Sequence, residues 1–158
     1  MSIVETVQVL LVEDQPTDAH LIFRALEAFN LRTSTVWLRD GALALNYLLD
    51  HDASGKPPDL RHLQLVLLDV KLPKVDGIEV LRQLRRSIST RFVPIVMLTS
   101  SQERRDIANS YLAGANSYIV KPVDFDEFIK TMSSVLAYWM RLNLTPEAHA
   151  APPHQGRE

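Results

Sequence analysis

The stretch from Leu63 to Gly77, LQLVLLDVKLPKVDG, decides how the rest of the chain is read. Its first six residues are almost wholly apolar, as in a strand covered on both faces. The run ends on Asp69, and Pro73 and Gly77 then break the pattern within a few residues. A carboxylate at the end of a buried strand can be a helix cap, an accident of the surface or a reactive group. This segment alone does not choose between them.

The flanking sequence supplies the context. Apolar runs at residues 7–12, 33–38, 63–68, 93–98 and 116–120 alternate with segments of helical periodicity. Pro16 suits the first turn of a helix, and Leu21, Ile22, Ala25, Leu26 and Phe29 follow on one face. The run at 33–38 has the alternation of a half-buried strand. Asp40 is placed to cap a helix over 42–49 and Asp124 one reaching Leu142. Asp76-Gly77 precede the amphipathic segment 78–86. Residues 103–112 form a helix with Gly114 as its stop. Gly55, Pro57 and Pro58 make 52–60 a long loop. Five such alternations predict a doubly wound, five-stranded parallel α/β sheet of the flavodoxin-like kind, with strand order 2-1-3-4-5. One domain over 1–142 is expected, followed by a disordered tail over 143–158.

Composition narrows the function. The 158 residues include no cysteine, carry a net charge of −2 and are 46% hydrophobic. Disulfide and thiolate chemistry are excluded, and the charge makes no case for nucleic acid. No apolar run has the length of a membrane helix, and the N-terminus lacks the order of a signal peptide, so a cytoplasmic protein is expected. The five histidines are scattered without metal spacing. The basic stretches at 81–86 and 103–105 read as solvated faces. No GxGxxG or GxxxxGK[ST] pattern occurs.

In this fold, functional groups gather at the carboxyl ends of the strands. Here those ends carry Glu13-Asp14, Asp69, Thr99-Ser100-Ser101 and Lys121-Pro122. Strand order 2-1-3-4-5 brings Asp14 and Asp69 face to face, with Thr99 and Lys121 closing the far side. Three gathered carboxylates repel one another unless a pKa rises or a cation neutralises them. Oxygen-only ligands point to Mg²⁺, or to Mn²⁺ in its place. A lysine and a hydroxyl beside such a centre suit a phosphoryl group, and a carboxylate can accept it as nucleophile.

LVEDQ, LLDVKLPKVDG, VPIVMLTSS and SYIVKP together resemble the receiver domains of two-component response regulators, over about residues 7–142. The resemblance implies that Asp69 is the phosphoacceptor. It also implies that Asp14 binds the metal directly, Glu13 does so mainly through water, and the backbone carbonyl of Lys71 completes the set. Thr99 and Lys121 are implied to contact the phosphoryl group, Tyr118 to be the switch aromatic, and the Lys121–Pro122 bond to be cis. The chain departs from the usual pattern at Gln15 and Leu72; Lys71 and Ser101 occupy positions that influence phosphoryl lifetime in the family.

The long 51–62 loop and the PKVDG stretch resemble, more narrowly, the small regulators paired with bacterial phytochrome kinases. A sensor histidine kinase is the implied partner, and only 16 residues follow Leu142, so output through protein contacts is expected. The last helix carries a wide apolar arc. It suggests a homodimer through the fourth helix, fifth strand and fifth helix, with Phe125, Val135 and Trp139 at the interface. Two other readings stand beside this one: a receiver-like scaffold that is never phosphorylated, and a Mg²⁺-dependent aspartyl phosphohydrolase. The hydrolase reading lacks the usual second aspartate, because Lys71 stands two positions after Asp69.

Overall fold

The computed structural model describes residues 6–146. Its strands are β1 (Val9–Val12), β2 (Thr35–Leu38), β3 (Leu65–Leu68), β4 (Ile95–Thr99) and β5 (Ser117–Val120). Its helices are α1 (Pro16–Ala28), α2 (Gly41–Leu49), α3 (Gly77–Arg86), α4 (Arg104–Leu112) and α5 (Phe125–Ala137). All strand pairs are parallel, in the order β2-β1-β3-β4-β5. This is the expected doubly wound, flavodoxin-like sheet.

Strand alternation divides the core in two. Val9, Leu11, Leu65, Leu67, Val96 and Leu98 face α1 and α5. Leu10, Val12, Val66, Leu68, Ile95 and Met97 face the opposite way, toward α2 and α3. The inner strands are covered on both faces, which is why their sequences are apolar without a break.

Several helix starts follow from single side chains. Asp40 accepts from the Leu43 N–H at 2.8 Å, and Asp124 from the Glu127 N–H at 2.9 Å, as expected of N-caps. Asp76 accepts from the Ile78 N–H at 2.9 Å. Gly114 ends α4 at φ +103°, a conformation that favours glycine.

The differences from expectation have local causes. Leu63 and Val93 are buried but lie outside the ladders, because their N–H groups close turns onto Leu60 and Thr90. Residues Arg32–Ser34 form a short 3-10 turn, so β2 starts at Thr35. The alternation expected in β2 is not seen: all four residues are half-buried, as befits an edge strand only partly covered on each face. α5 ends at Ala137, and a π-turn over Tyr138–Leu142 carries the chain to the expected end. The Lys121–Pro122 bond is trans, not cis. Trans is the intrinsically favoured isomer by about 0.5–1 kcal/mol for an X–Pro bond, and from it Lys121 reaches all its partners described below. The tail expected over 143–158 falls outside the described residues from 147 onward.

The wide apolar arc of α5 is mostly spent inside the molecule. Phe128, Met132, Val135 and Leu136 are buried, and Ile129, Trp139 and Met140 pack against the same core. α5 needs this breadth because it packs on α1 as well as on the sheet. Val135, only 8% exposed, is therefore a core residue and not an interface residue. Trp139 is partly buried, and Phe125 remains exposed.

Candidate phosphorylation site

β1 and β3 are hydrogen-bonded neighbours in register Val12↔Leu68, so the residues that follow each strand meet. The Asp69 N–H donates to the Val12 carbonyl at 3.1 Å, and the Glu13 N–H donates to the Leu38 carbonyl at 3.0 Å. These bonds carry the ladder one step past the strands and hold both acidic residues on backbone rather than on flexible loop. Glu13, Asp14 and Asp69 each offer a carboxylate oxygen within 4.8 Å of the others. Glu13 and Asp69 are buried and Asp14 is half-buried.

β4 and β5 supply the other wall. The Lys121 N–H donates to the Thr99 carbonyl at 2.8 Å, which extends their pairing. Lys121, its side chain 6% exposed, donates through Nζ to Glu13 Oε2 at 2.5 Å, Asp18 Oδ2 at 2.9 Å and Asp69 Oδ2 at 2.9 Å. Thr99 is fully buried, and its Oγ1 accepts from the Ser101 N–H at 3.3 Å. It therefore steadies its own loop and does not cap α4.

The electrostatics follow from this crowding. Burial, and then the negative charge of Asp69, push the Glu13 carboxyl up to about 7 despite the opposing effect of Lys121. For Lys121, burial disfavours the charged form. The charge of Asp69 and the bonds to Asp18 and Glu13 outweigh it and raise the pKa. The cluster holds more carboxylates than ammonium groups, and its donor set is oxygen alone. That combination fits a hard divalent cation such as Mg²⁺ or Mn²⁺.

A second network adjoins the first. Ser101 Oγ donates to Asp106 Oδ2 at 2.6 Å, Tyr118 Oη donates to the Ser101 carbonyl at 3.0 Å, and Lys71 Nζ lies 3.6 Å from Asp106. Burial raises the Tyr118 phenol above its ordinary value. The buried residues of α4 are both polar, Asp106 and Ser110. No apolar side chain of α4 is buried, whereas each of the other α-helices buries at least two. Asp106 is tied to Ser101, while Ser110 Oγ has no hydrogen-bond partner among the described residues.

Two residues here escape a reading of strand ends. Asp18 lies in the first turn of α1, and its reach to Lys121 is set by how that helix is seated, not by any spacing in the sequence. Asp106 lies inside α4 and gives no signal beyond being acidic near a helix start. The structure brings Glu13, Asp14, Asp69 and Lys121 into one cluster, with Thr99 behind it. Tyr118 lies one loop away.

A family model described as the response regulator receiver domain matches residues 9–133. The chain belongs to that family. Among its relatives is the probable methanogenesis regulatory protein FilR2 of Methanothrix harundinacea, 41% identical over 87% of this chain and 86% of that protein. The response regulator Rcp1 of Synechocystis is 30% identical over 89% of this chain and 93% of that protein. The crystal structure of its Mn²⁺-bound form has a TM-score of 0.78 at 29% identity, covering 89% of this chain and 99% of that one. The phosphorylated cyanobacterial phytochrome response regulator RcpA has a TM-score of 0.77 at 31% identity, with the same coverage. The chain is thus a signalling receiver, homologous to phytochrome response regulators. Among the described residues no helix is long and apolar enough to cross a membrane.

Proposed function

We propose that the chain, with its receiver unit at residues 1–142, accepts a phosphoryl group on Asp69 from a phosphohistidine of a sensor histidine kinase. The observation that carries this reading is the contact of Asp69 Oδ2 with Lys121 Nζ at 2.9 Å, beside two further carboxylates. An Asp69 oxygen attacks phosphorus, the P–N bond breaks, and its electron pair stays on the imidazole nitrogen. Lys121 offers its ammonium to the incoming oxygens, and the Thr99 hydroxyl turns from its loop to a second one. Glu13, Asp14, Asp69 and the Lys71 carbonyl would hold Mg²⁺ or Mn²⁺, which supplies neutralisation of phosphoryl charge.

The response runs through the polar network. Drawing Thr99 toward the phosphoryl group pulls on the Ser101 loop, which Tyr118 and Asp106 hold. α4, with little apolar anchoring, then changes its seat, and Tyr118 turns inward. A bacterial phytochrome kinase is the partner we assign, on the likeness to Rcp1 and RcpA along nearly their full length. The hydrolase reading is disfavoured further by Lys71, whose side chain is 65% exposed and pairs with Asp106. The scaffold reading is disfavoured by the complete acidic trio and lysine.

The test is mass spectrometry of the intact protein after incubation with acetyl phosphate. One phosphate is expected, dependent on Mg²⁺ and absent in Asp69→Asn. An adduct that persists in Asp69→Asn would move the acceptor elsewhere. No adduct on the wild type, either from acetyl phosphate or from a phosphorylated kinase, would favour the scaffold.

We also assign self-association to the face made by α4, β5 and α5. Seven of the ten exposed large apolar residues among those described lie beyond residue 110, including Tyr111, Leu112, Val123 and Phe125. Sedimentation should show a dimer in the wild type that is weakened by about tenfold or more in Phe125→Ala paired with Leu112→Ala, since central apolar anchors dominate interfaces. Identical sedimentation of both proteins, with and without phosphorylation, would remove the interface from this face.

A further inference from the structure

Lys121 has three N–H donors, and all three are used: one each to Glu13, Asp18 and Asp69. Two of these partners belong to the acidic trio that suits a cation. Asp18 does not. Its only side-chain hydrogen bond among the described residues is the one to Lys121. It sits in the first turn of α1, where the helix dipole favours a negative charge whether or not the lysine is present. Its side chain is 28% exposed, against 1% for Glu13 and 8% for Asp69.

We propose that Asp18 is a positioning residue that competes with the phosphoryl group for Lys121 and so sets how strongly the phosphorylated state is favoured. This rests on Asp69 being the acceptor. Phosphorylation places new anionic oxygens beside Lys121, whose donors are already committed. Asp69 gives up its carboxylate charge on becoming the acyl phosphate. Of the two carboxylates then left on Lys121, Asp18 is released most cheaply as the several phosphoryl oxygens compete for the lysine's donors. Water reaches it, the helix terminus supports its charge, and no metal role holds it in place. Glu13, nearly sealed from solvent, has no water to take the lysine's place. Asp18 thereby stabilises the unphosphorylated state without taking part in transfer. Its release also frees the first turn of α1 from a tie to β5.

Beryllofluoride, an anionic mimic of the acyl-phosphate group, tests this in the presence of saturating Mg²⁺. Removing the competitor should tighten its binding by about two- to fivefold in Asp18→Asn and in Asp18→Ala, given that a partly exposed ion pair is worth at most about 1 kcal/mol. Asp18→Glu, which keeps the charge, should stay near wild type. A residue that merely supported the helix would act the other way: its loss would lower the melting temperature and weaken binding. A crystal structure of the wild-type complex should show Asp18 parted from Lys121. Binding in Asp18→Asn and Asp18→Ala that is equal to or weaker than wild type, or an Asp18–Lys121 contact retained in the complex, would overturn the proposal. If the wild type binds no beryllofluoride and takes no phosphate on Asp69, it is the acceptor reading that fails.

Discussion

Gly77→Ala is expected to lower the melting temperature by on the order of 10 °C, from a loss of about 3 kcal/mol in a chain of this size. The added Cβ would stand 1.9 Å from the carbonyl oxygen of Asp69 and 3.0 Å from the Val70 Cα. Both are backbone atoms, so no side chain can swing aside to make room. The Gly77 N–H also donates to the Val70 carbonyl at 2.8 Å, which ties the start of α3 to the residue after the acceptor. Relief therefore moves either α3 or Asp69 itself. Phosphate uptake, measured well below the new melting point, should fall as well. A variant with unchanged stability and uptake would show that the close approach is not needed.

Lys121→Met should give the second large effect, and its size depends on pH. The substitution keeps much of the stem and removes the one ammonium that faces Glu13, Asp18 and Asp69. Breaking a buried ion pair from one side costs about 3–5 kcal/mol. That full cost is expected near pH 8 in chelator. Glu13 is already raised to about 7 in the folded protein, from an ordinary value of 4.5. A carboxyl raised on folding contributes stability that is complete below its unfolded pKa and is lost as pH rises through its folded pKa. Loss of the lysine raises it further. The variant should therefore lie closer to wild type near pH 5 than near pH 8, as followed by urea denaturation at each pH. Mg²⁺ should restore part of the loss at the higher pH, because it binds only the folded cluster. Equal destabilisation at both pH values would assign the effect to lost packing. Phosphate uptake should fall steeply wherever the variant is folded.

Much of the fold was legible before any coordinates. Alternating apolar runs and caps such as Asp40 and Asp124 are local signals, because a strand covered on both faces must be apolar and a helix start must satisfy its own N–H groups. Strand ends were less legible: Leu63 and Val93 are apolar because they are buried, and burial alone does not say that their N–H groups close turns. The apolar breadth of α5 was legible as a fact but not in its meaning. Val135 is buried in the core that α5 shares with α1 and the sheet, and no pattern within α5 says which neighbour will cover it. The isomer of the Lys121–Pro122 bond likewise depends on where the ends of β5 and α5 are held.

For the site, the sequence by itself determined the chemistry: an acidic pair, a third carboxylate, a hydroxyl and a lysine, each after a buried strand. Parallel register did the rest predictably, since strands of fixed pitch deliver their ends to one edge. Only the tertiary structure decided who shares Lys121. Asp18 reaches it from the first turn of α1 across 103 positions of chain, and Asp106 meets Ser101 and Lys71 from α4. Such contacts depend on how a helix is rotated and seated against the sheet. That is set by core packing on its far side, which no local pattern around either residue records.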